Sequence, residues 1–212
     1  MIEIAGKKIA TTLAEIVERS RTALLIWDME YAIGPNAFNY QDMLPKLQEL
    51  AALARSAGVR VCYSVQTPFD LAKEEAGVWV RIRMKRAKTS DPQKLLSEKE
   101  DPHDREIITE LQPQPQDIVF QKRRPDGFIG TDLDLILRSN GIKTLVIGGV
   151  ATEGGVEGTA RSARNLGYDV VVLTDCVGSR NREAHDMALK LMEQSFFDVV
   201  TAADIGAIWR QP

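Results

Sequence analysis

The sequence predicts a Rossmann-like three-layer α/β fold, an open parallel sheet of about six strands in the order 3-2-1-4-5-6 with helices on both faces. Apolar, β-branched runs alternate with amphipathic stretches along the chain, as strands alternate with crossover helices in such folds. The first run, Ala23 to Trp27, is apolar without interruption, which is typical of a parallel strand buried on both faces.

The elements follow one another in a regular order. A helix is predicted over residues 42–57, because apolar side chains recur there three and four positions apart and Gly58 is a stop signal. The same cycle of strand and helix then repeats. The other predicted strands span 59–65, 118–120, 144–147, 169–173 and 199–200, and the other predicted helices span 132–139, 153–166 and 183–197.

Length and composition indicate one globular domain. The chain has 212 residues, of which 44% are hydrophobic and 27% are charged, so it contains enough apolar material for a sizeable core. No repeat or flexible linker marks a second domain. We therefore predict a single domain over residues 1–212, with a lead-in over 1–21 and an insertion over 67–117 between the second and third strands.

Charge and residue usage argue against several classes of protein. The 27 Lys and Arg residues against 30 Asp and Glu residues give a net charge of −3, which argues against a general nucleic-acid binder. No apolar run approaches the roughly 20 residues that cross a bilayer, and the first residues lack the apolar core of a secretory signal. Cys62 and Cys176 cannot form a disulfide framework and are expected as core thiols. We expect a cytoplasmic protein with no nucleic-acid or membrane partner.

Polar side chains stand where three of the predicted strands end. Asp28 follows the first strand, Gln66 the second and Lys122 the third, and a glycine-rich segment, 148–155, follows the fourth. Ligands of open parallel sheets bind beyond the carboxyl ends of the strands. A carboxylate, a carboxamide and an ammonium group are therefore expected to face one crevice, although solvated polar residues are also common at strand ends.

Glycines interrupt the start of the helix that follows the fourth strand. Gly154, Gly155 and Gly158 lie in its first turns, where each glycine costs about 0.5–1 kcal/mol relative to alanine. A sequence tolerates that cost where another group must approach the backbone closely, and helix N-termini attract anions or a developing oxyanion. Close packing of the helix on the sheet is the alternative explanation.

Asp28, Lys122 and the run Gly-Gly-Val-Ala-Thr-Glu-Gly-Gly-Val-Glu-Gly-Thr-Ala over 148–160 together resemble the isochorismatase-like hydrolase superfamily. The resemblance extends from about Thr22 to Ile205. Most members of the superfamily are cysteine hydrolases that cleave amide-type C–N bonds with an Asp-Lys-Cys triad. In this sequence the position of that cysteine is Gly155, so the nucleophile is missing from an otherwise matching set.

The isochorismatases proper also resemble this chain in carrying glycine at that position. They hydrolyse a vinyl ether, in which an acid protonates the enol-ether carbon and water adds to the resulting oxocarbenium ion. The resemblance implies that Asp28 is the acid, that Lys122 is its partner and that Gln66 holds a substrate hydroxyl. The further substrate contacts that we expect on this basis are Ala151, Gly154 and Trp79.

The resemblance also bears on metals and assembly. Nicotinamidase-like relatives bind a metal through an Asp-x-His pair and a further histidine, whereas His103 and His185 lie in no such pair, so no metal or other cofactor is expected. His185, on a predicted amphipathic helix, is expected in a hydrogen-bonded structural role. The superfamily implies a homodimer or homotetramer, with pocket walls from the insertion, where Trp79 faces either the pocket or a neighbouring subunit.

Three functions stay open at this point. The first is a cysteine-independent hydrolase that uses Asp28 and Lys122 on a small, anionic metabolite, with vinyl-ether-type chemistry. The second is a C–N hydrolase whose nucleophile at position 155 has been lost or replaced, and the third is a non-catalytic protein that binds a metabolite. In the first, Lys122 favours the ionised form of Asp28, whereas burial and a bound anion favour the neutral acid. The sequence does not decide between these effects.

Overall fold

The computed structural model describes residues 1–67, 77–91, 101–195 and 197–211. The side chains of Trp79 and Arg86 also lie outside the description. No helix within these ranges is long and apolar enough to span a membrane.

A six-stranded parallel sheet forms the centre of the molecule and confirms the predicted fold class. Its strand order is β5-β4-β3-β6-β7-β8, which is the predicted order once the strands of this sheet are counted along the chain. A separate two-stranded antiparallel sheet, β1 and β2, precedes it. The strands are β1 (Ile2–Ile4), β2 (Lys7–Ile9), β3 (Thr22–Trp27), β4 (Arg60–Gln66), β5 (Ile118–Lys122), β6 (Thr144–Val150), β7 (Asp169–Gly178) and β8 (Asp198–Val200).

Helices cover both faces of the central sheet, as predicted. Apolar side chains of α2 and α7 pack on one face, and those of α4, α5 and α6 pack on the other. These two layers and the sheet form the three-layer arrangement. The helices are α1 (Leu13–Ile16), α2 (Tyr40–Ser56), α3 (Gly77–Ala87), α4 (Leu133–Ser139), α5 (Glu157–Asn165), α6 (Arg182–Gln194) and α7 (Ala202–Trp209).

Strand β3 lies inside the sheet and is buried along its whole length. Successive side chains of a strand point to opposite faces, so the side chains of β3 pack alternately into the hydrophobic cores on the two faces of the sheet. Leu24 and Ile26 belong to the core under α2, whereas Leu25 and Trp27 belong to the core under α5. The last residue of β3 therefore directs a large indole toward the start of α5.

Several features differ from the sequence prediction. The β1–β2 hairpin was not expected, and its strands are short and exposed. Helix α7 was not expected either, and it begins at a capping box that Thr201 forms with Asp204. The helix predicted over 153–166 begins instead as a π-helical turn, Thr152–Val156, before α5 continues it.

Candidate active site

The site lies where the connections of the sheet reverse direction. Strand β3 pairs with β4 on one side and with β6 on the other, and both pairings are parallel. Such a switch point leaves a crevice beyond the carboxyl ends of the two central strands. Asp28 follows β3 directly, and the π-helical turn follows β6 after Ala151.

Asp28 and Lys122 form a buried ion pair at this point. The Lys122 Nζ atom lies 2.8 Å from Asp28 Oδ2, and the two side chains are only 3% and 10% exposed. The same ammonium group lies 4.7 Å from the centroid of the Trp27 ring. The two polar side chains that the sequence predicted to meet are therefore in direct contact.

Ser64 of β4 forms two hydrogen bonds with Asp28. Its hydroxyl donates to Asp28 Oδ1 at 2.7 Å and accepts the Asp28 backbone N–H at 3.0 Å. The Asp28 backbone has a φ of +47°, in the left-handed region that aspartate enters more readily than most residues. The side chain is thus held from the β4 side by a hydroxyl and from the β5 side by an ammonium group.

Burial dominates the electrostatics of Asp28. Loss of hydration raises the pKa of this carboxyl, while the charge of Lys122 and the hydrogen bonds from Lys122 and Ser64 act to lower it. The direction that results is upward. The protonated form is therefore more accessible to Asp28 than to an ordinary aspartate, as a general acid requires.

The space beside Gly155 is filled by the indole of Trp27. A Cβ atom at position 155 would lie 1.9 Å from Trp27 Nε1 and 2.4 Å from Trp27 Cε2. The group that approaches this backbone closely is a side chain of the protein, so the packing explanation of this glycine is the correct one. A thiol at position 155 and an indole at position 27 cannot occupy this space together.

The other glycines near the site differ from Gly155 in how much space a side chain would have. Gly149 has a φ of +116°, and a Cβ there would lie 2.0 Å from the backbone oxygen of Trp27, its partner on β3. Gly154 has no such crowding, because its nearest contact would be Ala151 Cβ at 3.8 Å. Ala151 connects β6 to the π-helical turn, and its peptide bond with Val150 is cis. Its carbonyl accepts hydrogen bonds from the backbone N–H groups of Gly154 and Val156.

Hydrogen bonds to α6 and β7 hold the π-helical turn. The Thr152 hydroxyl donates to the Gly178 carbonyl at 2.9 Å and lies 2.7 Å from His185 Nδ1, which must then carry the proton of that contact. Burial lowers the pKa of His185. His185 is therefore hydrogen-bonded and buried, in agreement with the structural role predicted for it.

Gln66 ends β4 opposite Lys122 on β5. Its side-chain oxygen accepts a hydrogen bond from Arg105 Nη1 at 2.6 Å. Its backbone N–H donates to Glu30 Oε1. Gln66 thus lies at the predicted edge, but its carbonyl oxygen is already engaged by a guanidinium group.

Glu30 is the most conspicuous group that sequence reasoning missed. Its side chain is fully buried, and no described residue donates a hydrogen bond to its Oε2 atom. Arg105 Nη1 lies 4.0 Å from that atom. Burial, followed by the negative charge of Asp28, raises the pKa of Glu30 to about 7. The available signal was its place two residues after Asp28, at the same end of the sheet.

The remaining sequence predictions concern Trp79, the two cysteines and the possibility of a metal site. The side chain of Trp79 lies outside the described residues, although α3 includes its backbone. Cys62 and Cys176 are buried free thiols, as expected, and burial raises the pKa of both, that of Cys62 to about 12. Within the described ranges, no group of three or more His, Cys, Asp or Glu side chains could hold a metal ion.

Comparisons with known proteins agree on one family. The profile of the Isochorismatase domain matches residues 22–204. The chain is 34% identical to the ureidoacrylate amidohydrolase RutB of Pantoea ananatis over 201 residues, which are 86% of this chain and 79% of the relative.

Solved structures give the same result. A cysteine hydrolase from Pseudomonas syringae pv. phaseolicola superimposes with a TM-score of 0.76 at 25% identity, over 92% of this chain and 94% of that one. An isochorismatase family protein from Burkholderia thailandensis superimposes with a TM-score of 0.74 at 30% identity, over 91% and 97% of the two chains.

Proposed function

Because the chain belongs to the isochorismatase family, a family of hydrolases, we propose that it hydrolyses a small, anionic metabolite without a cysteine nucleophile. In this proposal Asp28 is the general acid, Lys122 is its partner, and the bond that breaks is of the vinyl-ether type. Gln66, Ala151, Gly154 and Trp79 are the proposed substrate contacts.

One observation carries this proposal. The indole of Trp27 occupies the space that a side chain at position 155 would need, while Asp28 and Lys122 remain in contact 2.8 Å apart. Covalent catalysis needs a nucleophile held beside its base. Acid catalysis needs only the carboxyl and a water molecule, and the features that remain in this crevice suit that requirement.

The proposed reaction is a net addition of water across an enol ether. Asp28 gives its proton to the terminal enol carbon, and the electron pair of the double bond forms the new C–H bond. Water then adds to the oxocarbenium ion, loses a proton, and yields a hemiketal. The hemiketal then collapses to a ketone and an alcohol: the proton that the water lost passes to the departing ether oxygen, and the hemiketal hydroxyl proton returns to Asp28.

Lys122 would act on both stages of this cycle. Its charge stabilises the Asp28 carboxylate that remains after proton donation, and its position over the Trp27 ring keeps the ammonium group in a defined place. Burial works in the opposite sense and raises the pKa of Asp28, so the acid is protonated in a larger fraction of molecules before substrate binds. A bound substrate carboxylate would favour the neutral acid further.

The test uses a small panel of defined compounds. Two are enol-pyruvyl ethers, isochorismate and chorismate, and two are ureido acids, ureidoacrylate and N-carbamoylsarcosine, with products identified by mass spectrometry. We expect turnover of an enol-pyruvyl ether that survives thiol alkylation and is lost in Asp28→Asn. The exposed Asp42 provides the matched control, and Asp42→Asn is expected to keep wild-type turnover. Turnover retained in Asp28→Asn, or a panel that only shifts the melting temperature without product, would overturn the proposal.

Amide-type hydrolysis is the second candidate, and the name of the Pantoea relative favours it. Under this alternative the ancestral thiol at position 155 has been replaced. A single Gly155→Cys variant is a poor test, because the new side chain meets the Trp27 ring. The informative variant is Gly155→Cys combined with Trp27→Val, assayed on the ureido acids. Thiol-dependent hydrolysis in the double variant, together with inactivity of the wild-type protein on enol ethers, would favour the C–N reaction.

We also propose that the protein works as a homodimer or homotetramer in the cytoplasm. The superfamily resemblance supports the assembly, and the absence of disulfide chemistry in the two buried thiols is compatible with a reducing compartment. Light scattering coupled to size-exclusion chromatography measures the assembly directly, and a monomeric mass would contradict it.

A further inference from the structure

We propose that Glu30 is a second proton-handling residue of this site, the base that accepts a proton from the attacking water after Asp28 has protonated the substrate. The inference rests on the proposed function, which names an acid but no base. Among the described residues, Glu30 forms no hydrogen bond or ion pair with Asp28 or Lys122, so its role is separate from that pair.

The placement of Glu30 is the first argument. Ser64 binds the Asp28 carboxyl and the Gln66 N–H binds the Glu30 carboxyl, and these two positions are two residues apart on β4. Two residues of strand span roughly 7 Å. This strand span separates the two anchoring points on β4, and it is similar to the separation of about 6.5–9.5 Å between the acid and the base of inverting glycosidases, which leaves room for a water molecule.

The unequal environment of its two oxygens is the second argument. Oε1 accepts the Gln66 N–H, whereas Oε2 is buried and receives no hydrogen bond from a described residue. A buried carboxyl oxygen without a donor is costly for folding, so a further donor is expected to satisfy it. A water molecule poised for attack is such a donor.

The charges around Glu30 suit a base that works near neutrality. Asp28 at the end of β3 disfavours the ionised form of Glu30, while Arg105 from the 102–105 turn and Lys122 from β5 favour it. Burial and Asp28 together raise the pKa of Glu30 to about 7. A base with a pKa near the working pH is ionised often enough to act and still holds a proton well.

The proposed step balances without a further reactant. The Glu30 carboxylate takes one proton from water as the water oxygen bonds to the oxocarbenium carbon. The neutral Glu30 then gives that proton to the departing ether oxygen as its C–O bond breaks, while the hemiketal hydroxyl proton returns to Asp28. Both carboxyls end in the state in which they began.

The test is Glu30→Gln, which keeps an oxygen that can accept the Gln66 N–H but cannot take up a proton. With isochorismate as the probe, we expect kcat to fall about 100-fold and KM to change little, because a positioned base contributes about 10²–10⁴-fold. The limb of the pH profile on which activity rises toward pH 7 should disappear. Glu106 is the control, because it is an exposed carboxylate next to Ile107, the residue that pairs with Glu30 in an isolated antiparallel bridge, and Glu106→Gln should keep both kcat and that limb.

The outcomes separate the two proposals. If Glu30→Gln keeps its kcat and the rising limb while Asp28→Asn is inactive, Glu30 is structural and the proposed function stands. If Asp28→Asn also turns over the enol-pyruvyl ether, or if the wild-type protein hydrolyses neither isochorismate nor chorismate, the proposed function fails, and the proposed role of Glu30 fails with it. A carbon-13 titration of the Glu30 carboxyl in wild-type protein gives a measurement independent of variant folding. A midpoint near 7 supports the proposal, and an ordinary glutamate midpoint overturns it.

Discussion

A methyl group added at position 155 should be far more damaging than one added next to it. The backbone of Gly155 does not lie in the left-handed region, so alanine is conformationally acceptable there. The obstacle is the Trp27 ring, whose Nε1 and Cε2 atoms would lie 1.9 Å and 2.4 Å from the new Cβ. Because a rigid, fully buried ring must shift, the cost of Gly155→Ala falls at the upper end of the about 1–3 kcal/mol range for overpacking.

The same structure predicts that the cost disappears when the indole is removed. Trp27→Val alone should lose about 3 kcal/mol, because shortening a buried tryptophan leaves a cavity. In that background Gly155→Ala places a methyl group in the cavity and gains about 1 kcal/mol of helix propensity. The double variant should therefore be no less stable than Trp27→Val, with a coupling free energy of about 3–4 kcal/mol, at or just above the upper end of the range for residues in contact.

Urea unfolding of the wild-type protein, the two single variants and the double variant measures this coupling. A domain of this kind has a free energy of unfolding of about 5–15 kcal/mol, so each variant should retain a measurable folded baseline. Gly154→Ala is the internal control, because its Cβ would meet only Ala151 at 3.8 Å. The reasoning fails if Gly155→Ala is tolerated as well as Gly154→Ala, or if its cost is the same with and without Trp27.

Three further predictions concern neighbouring groups. Ser64→Ala removes a hydrogen bond that lowers the pKa of Asp28, so the high-pH limb of activity should move to higher pH and urea unfolding should show a loss of about 1–2 kcal/mol. For Glu30 the folded pKa of about 7 exceeds the usual 4.5, so the native state holds a proton that the unfolded chain has released between those values. Wild-type stability should therefore fall by roughly 3 kcal/mol as pH rises through that window, and thermal scans of Glu30→Gln should lack that decline. Thr152→Val leaves the Gly178 carbonyl and His185 Nδ1 without their buried partner, and urea titration should show a loss of about 2 kcal/mol.

The fold was predictable because its signal is local. Each strand of the central sheet is a short apolar run, and helices α2, α4 and α5 have apolar spacing and a glycine stop. The alternation of these elements indicated a parallel sheet, and the strand order is the one typical of Rossmann-like folds. The contact between Asp28 and Lys122 was predictable for the same reason, since both side chains stand at carboxyl ends of strands in one sheet. The sequence prediction was wrong about where some of the elements end. Strand β7 runs five residues beyond its predicted end at Leu173, because a register shift between Ile147 and Gly149 lets β6 and β7 keep pairing to Gly178.

The crowding at position 155 was not predictable, because it depends on which face of the sheet each residue meets. Trp27 reads as the last apolar residue of a strand, and Gly155 reads as a helix-start glycine that could admit a ligand. Only the pleat of β3 and the path of the π-helical turn show that the two occupy one space. Glu30 was missed for a similar reason: its place two residues after Asp28 was visible, but the burial of its carboxyl at an isolated bridge to Ile107 has no sequence signature.

Together these contacts change what the crevice can do chemically. The indole of Trp27 packs against the backbone of Gly155 and beneath the Lys122 ammonium group, and Asp28 itself is only 7% exposed. Exclusion of water raises the pKa of the acid and strengthens its interaction with the ammonium group at the same time. A crevice built in this way holds a proton donor in a defined position, which is what hydrolysis by protonation requires and what hydrolysis by a thiolate does not. In the proposed function, this packing supports hydrolysis by protonation rather than hydrolysis by a thiolate, before any substrate is considered.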